Sequence, residues 1–255
     1  MPKVNVAGED IYYVQRLTRA SDTSLVFIHG AGGTHRHWAY QVRSLASVNA
    51  YALDLPGHGR SGGRSRTSIS SYAEFVEDFV GALGLQRVIL GGHSMGGAIV
   101  QHFALNHTSR AEGLVLASTG ARLRVAPEIL EGLLSDFDST VDMLLGYAYA
   151  EDAPSHLVEL GKREWLANTP EVVHGDFLAC DNFDVMERLG EIGCPTLVLC
   201  GEDDLLTPAK YARYLEENIP NATLNTVPGA GHMVMLEQPE QVNRAIEEFL
   251  QARGA

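Results

Sequence analysis

Six short apolar runs, each closed by a glycine-rich or polar turn, constrain this chain more than any other feature. Leu25-Val26-Phe27-Ile28 runs into His29-Gly30-Ala31-Gly32-Gly33, and Ala50-Tyr51-Ala52-Leu53 into Asp54-Leu55-Pro56-Gly57-His58-Gly59. Val88-Ile89-Leu90 precedes Gly91-Gly92-His93-Ser94-Met95-Gly96, and Leu114-Val115-Leu116 precedes Ala117-Ser118-Thr119-Gly120. Thr196-Leu197-Val198-Leu199 leads to Gly201-Glu202-Asp203-Asp204, and a run opened by Ala222-Thr223-Leu224 reaches Val227 before Pro228-Gly229. Runs that are apolar nearly throughout, rather than alternating, fit strands buried on both faces, as in a parallel sheet. Between them, Ser71 to Leu83 places Phe75, Val76, Phe79 and Val80 on one helical face. Met95–Leu105, Ala209–Asn218 and Pro239–Ala252 have the same character. Repeated strand-then-helix units predict right-handed βαβ crossovers and a layered α/β domain. Val4 to Gln15, ahead of the first helix, reads as an antiparallel hairpin at the sheet edge.

The pattern breaks between Gly120 and Arg188. No strand signal appears there, and helix-like segments follow one another around Pro127–Phe137, Thr140–Ala150, Ser155–Asn168 and Pro170–Cys180. The same stretch is acidic. From Ala126 to Glu187 there are 14 Asp or Glu against Lys162 and Arg163, a local balance of −12. The remainder has 17 basic and 18 acidic residues, so this segment carries nearly all of the net −13. It reads as a helical insertion, residues 121–187, in a core made of 1–120 and 188–255; its charge reads as solvated helix faces.

Several classes are disfavoured. A net charge of −13 argues against a nucleic-acid partner. The start, MPKVNVAGED, lacks the apolar core and cleavage site of a signal peptide, and no apolar run reaches the roughly 18 residues of a membrane helix. The expectation is a cytoplasmic protein with no membrane partner. Cys180, Cys194 and Cys200 are odd in number and lack metal-ligand spacing, which fits a reducing compartment. His35 and His37 have an H-x-H spacing, but no third ligand is near, so no metal is expected.

Ser94 stands in Gly92-His93-Ser94-Met95-Gly96, a G-x-S-x-G pattern between a strand and a helix. Such a turn forces the serine into a strained backbone conformation, and the flanking glycines let strand and helix approach. The helix N-terminus then aims unpaired backbone N–H groups beside the hydroxyl. A serine hydroxyl needs a base to act as a nucleophile. His232, in the glycine loop Pro228-Gly229-Ala230-Gly231-His232 after the last apolar run, is the strongest of ten histidines. His93 adjoins Ser94, but side chains diverge at so sharp a turn, and His29 and His58 read as structural. The base needs an orienting carboxylate, and spacing alone leaves Glu202, Asp203 and Asp204 open.

These residues resemble the α/β-hydrolase superfamily, in its serine esterase and enol-lactonase-like branch. The order Ser94, Asp204, His232 is that superfamily's nucleophile, acid, base order. The resemblance covers Leu25–Gly33, Asp54–Ser61 and Gly229–Pro239 as well. It implies a mostly parallel sheet flanked by helices, with 121–187 as a variable helical cap. A G-x-x-D-x-x-x-P pattern maps onto Gly201, Asp204 and Pro208, which implies Asp204 as the acid, with Asp203 in reserve. It also implies backbone N–H groups of Ala31 and Met95 as the oxyanion hole, and no cofactor. Ser94 in place of Asp or Cys points away from haloalkane dehalogenases and dienelactone hydrolases. Met233, where aromatic-degrading carbon–carbon hydrolases carry Trp, points away from those. The leading expectation is a carboxylic ester hydrolase for small to medium acyl esters, neutral or cationic rather than polyanionic. A lactonase or carbon–carbon hydrolase, and a slow-turnover ligand receptor on the same fold, are the alternatives. Trp165, His174, Cys180 and Met233–Met235 are weighed between pocket wall and core.

Overall fold

A computed structural model describes residues 2–19 and 21–253. The chain opens with a hairpin of β1 (Lys3–Val6) and β2 (Glu9–Arg16), turning at Ala7 and Gly8, both at positive φ. A two-residue turn with both residues at positive φ has the twist that antiparallel strands need. There follow β3 (Ser24–Ile28), α1 (Ala39–Ser44), β4 (Asn49–Leu53), α2 (Ile69–Ala82), β5 (Val88–His93), α3 (Met95–Asn106) and β6 (Ala111–Ala117). Four helices come next: α4 (Pro127–Ser135), α5 (Phe137–Ala148), α6 (Ser155–Leu166) and α7 (Pro170–Asp181). The chain then returns to β7 (Thr196–Gly201), α8 (Ala209–Asn218), β8 (Ala222–Val227), the short α9 (Val234–Glu237) and α10 (Pro239–Ala252).

The strands form one sheet in the order β1-β2-β4-β3-β5-β6-β7-β8. The pairings of β1 with β2 and of β2 with β4 are antiparallel, and the other five are parallel. This is the layered, mostly parallel α/β sheet expected from the apolar runs, in the α/β-hydrolase arrangement that the resemblance implies. Every residue of β3, β5 and β7 is buried, as a sheet covered on both faces requires. At the edge, β8 departs from that pattern: of its six residues only Val227 is buried. It has a neighbour on one side only. Two apolar cores lie on opposite faces of the sheet. One joins α2, α3 and α8 to outward side chains such as Val26, Leu90 and Leu116; the other joins α1 and α10 to Phe27, Ile89 and Val115.

The strand order reverses at β3, which lies between β4 and β5, and Ile28 is paired with Gly92. The loops after β3 and β5 therefore leave the sheet side by side. Such a reversal opens a crevice beyond the carboxyl ends of the strands, where α/β sheets hold ligands. Between β6 and β7, the only β pairing among the described residues is the isolated bridge Arg122↔Asp184. Apolar periodicity takes the first of these helices to Phe137 and starts the second at Thr140; the break lies instead at Asp136. Its backbone is non-helical (φ −149°, ψ 73°), and its carbonyl accepts from Thr140 N (3.1 Å) and Oγ1 (2.8 Å), starting α5 early. No helix among the described residues is long and apolar enough to cross a membrane.

Candidate active site

Ser94 joins β5 directly to α3 at φ 52° and ψ −116°, a conformation rare for a non-glycine residue. Its N–H donates to the Ala117 carbonyl of the next strand (3.0 Å). Its own carbonyl accepts from Gly97 N (2.9 Å) and from Thr119 Oγ1 (2.8 Å). These contacts hold the strained residue in place. The glycines beside it are required by space. A Cβ on Gly92 would lie 2.1 Å from the Gly96 carbonyl oxygen, and one on Gly96 would lie 2.4 Å from that of Ile28. Met95 is the first residue of α3, so its N–H is among those without an intrahelical acceptor.

A cavity of about 290 Å³ opens above this turn, lined by Ala31, Ser94, Thr207 and His232 and by apolar side chains such as Leu144 and Phe177. His232 Nδ1 lies 3.0 Å from Asp204 Oδ2 and 3.1 Å from Oδ1. Asp204 also accepts from the Leu206 and Thr207 N–H groups (2.9 and 2.8 Å) and from Thr207 Oγ1 (2.8 Å). Burial pushes the Asp204 carboxyl up, but attraction to His232 and these hydrogen bonds outweigh it, holding the group below the usual carboxylate range. A carboxylate facing Nδ1 makes that nitrogen the proton-bearing one and leaves Nε2 as an acceptor. Glu202 and Asp203 point to solvent, so of the three consecutive acids the fold brings only Asp204 to the histidine.

The remaining histidines take other places. His29 Nδ1 bonds the Gly30 carbonyl (2.8 Å), and its Nε2 accepts from Leu55 N (3.0 Å). His58 bonds Pro56 O and the Asp176 carboxylate. His93 turns under the site, where its Nε2 donates to the His232 carbonyl at 3.0 Å. The H-x-H pair is split: His35 Nδ1 binds Asp54 at 2.7 Å, while His37 is buried against the cavity. Burial, reinforced by neighbouring imidazoles, lowers His29 and His37 to about 3 and His93 well below its ordinary value. Trp165, Cys180 and Met233 line the cavity; His174 does not, and Val234 and Met235 are core.

Sequence reasoning misses Thr207, whose hydroxyl touches both Asp204 and, at 3.2 Å, His232 Nδ1. Its position three residues after the acid is the available signal. It also misses His37 and Arg124, the one Asp, Glu, Lys or Arg among the lining residues. Neither carries a local sequence signal.

Known proteins share this sequence pattern and this fold. A sequence family described as "Alpha/beta hydrolase family" matches residues 25–245. A candidate carbamate hydrolase of Caulobacter sp. (strain K31) is 33% identical, over 92% of this chain and 94% of that protein. A solved thermophilic esterase superposes with a TM-score of 0.87 at 37% identity, covering 99% of this chain and 98% of that one. Est816, described as an N-acyl homoserine lactone degrading enzyme, superposes with a TM-score of 0.86 at 28% identity, over 97% and 100%.

Proposed function

We propose that this chain, which belongs to the α/β-hydrolase family, is a carboxylic ester hydrolase acting through Ser94, His232 and Asp204. The observation that carries the reading is the hydrogen-bonded Asp204–His232 pair opening onto the cavity that the strained Ser94 also lines. Ser94 Oγ attacks the ester carbonyl carbon while His232 Nε2 takes its proton. Asp204 keeps the proton-bearing Nδ1 in place and stabilises the imidazolium that forms. The carbonyl oxygen, now an oxyanion, accepts from the N–H groups of Met95 and Ala31; one such donor supplies about 3 kcal/mol. As the tetrahedral intermediate collapses, the alkoxide leaves with the proton from His232. A water deprotonated by the same imidazole then hydrolyses the acyl-serine, releasing the acid and restoring Ser94. Residues 121–187 serve as a cap over the cavity, supplying Leu144, Trp165 and Phe177 to its wall. The substrate is a small-molecule ester with an acyl group of small to medium size, in keeping with the cavity's largely apolar wall.

Lactone hydrolysis is the second reading, supported by the likeness to Est816; a lactone is a cyclic ester, and the same steps open it. The test is a panel of p-nitrophenyl esters of rising acyl length beside simple lactones, with Ser94→Ala as control. Turnover above roughly 1 s⁻¹ on short esters is expected, lost in Ser94→Ala. A variant that keeps full activity removes Ser94 as nucleophile. Near-zero turnover with large ligand-induced thermal shifts makes the chain a receptor.

A further inference from the structure

The loop that presents Ala31 is a tight turn, closed by Gly33 N–H donating to the Gly30 carbonyl at 3.1 Å, with Gly32 at φ +63°. Both backbone polar groups of Gly32 are held by residues between β6 and β7. The Gly32 N–H donates to Asp176 Oδ2 (2.9 Å), and the Gly32 carbonyl accepts from Asn168 Nδ2 (2.8 Å). Asp176 sits on α7 and is wholly buried, although it belongs to the most acidic stretch of the chain. Two further donors meet it: His58 Nε2 at 2.8 Å on Oδ2 and Tyr72 Oη at 2.6 Å on Oδ1. A buried carboxylate is costly unless paired and hydrogen-bonded, and here it is both. Burial disfavours the His58 imidazolium, but the Asp176 charge and hydrogen bond outweigh it and leave the His58 pKa raised.

We propose that Asp176, together with Asn168, is a positioning residue that clamps Gly32 from the inserted helices and so sets the Ala31 N–H in the geometry an oxyanion hole needs. The proposal rests on the reading of Ala31 and Met95 as oxyanion donors. The Met95 donor is fixed by α3, an element of the core. The Ala31 donor lies on a glycine-rich turn whose residue Gly32 is hydrogen-bonded to Asp176 and Asn168 of the inserted helices. Pre-set donors act because no reorganisation is needed as charge develops, and the clamp provides that on this side. The insertion thereby completes the catalytic machinery as well as walling the cavity, and movement of α7 changes transition-state binding before it changes substrate binding.

Four variants test this: Asp176→Ala, Asp176→Asn, Asn168→Ala and, as a stability control, Ile246→Ala on α10, which contributes no lining residue to the cavity. The readouts are kcat per Ser94 titrated to its end point with a fluorophosphonate, KM, the inhibition constant of a trifluoromethyl ketone, and Tm. Asp176→Ala should lower kcat per titrated site roughly ten- to a hundredfold, with KM within about twofold. Trifluoromethyl ketone binding should weaken by the same factor as kcat, because the adduct mimics the oxyanion. Asp176→Asn keeps an oxygen for Gly32 and should recover most of the loss. Asn168→Ala reads the other end of the clamp if Asp176→Ala does not fold, and should lower kcat and inhibitor affinity in parallel. The proposal is overturned if these quantities stay near wild type, or if Ile246→Ala at a matched Tm loses as much. Wild-type protein without Ser94-dependent hydrolysis of any ester would sink the parent reading and this inference with it.

Discussion

Ser94 is strained and held by hydrogen bonds, and burial disfavours the charged forms of His29, His37 and His93. His29 and His37 are lowered from 6.5 to about 3, chiefly because the interior disfavours the imidazolium. The unfolded chain therefore binds more protons than the native one between pH 6.5 and about 3. The stability these groups contribute is present above 6.5 and is lost as pH falls through that window, by up to about 1.4 kcal/mol per pH unit for each. His58 has the opposite sign: its pKa is raised, so its contribution is full below 6.5 and fades as pH rises through the raised value. Urea midpoints measured from pH 7 to pH 4 should fall steeply in the wild type and less steeply in His37→Gln. An unchanged slope in that variant would show that His37 is not held neutral in the native protein.

At the scale of elements, the β5–α3 junction is a packing problem solved by absent side chains. Gly96→Ala drives a methyl group to 2.4 Å from the Ile28 carbonyl oxygen and 2.7 Å from that of His29, a clash of α3 with the end of β3. Gly146 on α5 is exposed, and a Cβ added there would meet nothing within 4 Å. The two substitutions should therefore differ in sign. Gly96→Ala should cost roughly 3 kcal/mol as overpacking, while Gly146→Ala should add about 0.5–1 kcal/mol of helix propensity. Chemical denaturation of both variants checks this, and a Gly96→Ala protein as stable as wild type would remove the close-approach account of the elbow. Asp136 shows why helix ends are less legible than the helices themselves. Apolar periodicity continues across it, and only its non-helical backbone ends one helix and opens the next.

Across the whole molecule, the acidic excess lies around the cavity and not on its wall. Of the 14 carboxylates between Ala126 and Glu187, none lines the cavity, and Asp176 is buried in the clamp beneath Gly32. The field of the acidic insertion therefore acts on a substrate at a distance. Hydrolysis of a polyanionic thioester relative to a neutral ester should rise as salt is raised towards 1 M, where the Debye length shrinks to about 3 Å. A salt-independent ratio would leave the charge asymmetry without a role in selection. The apolar strands, the elbow at Ser94, the glycine loop at 30–33 and the position of His232 were legible because each is written in a few consecutive residues or in one local period. Spacing alone left three acids in a row open and only the family resemblance singled out Asp204; the turn after β7 is what buries Asp204 while Glu202 and Asp203 face water. The contact of Asp176 with Gly32 spans 144 positions. No local pattern encodes a pairing of that range; it exists because α7 packs back over the loop after β3, and packing of that kind is decided by the folded chain as a whole.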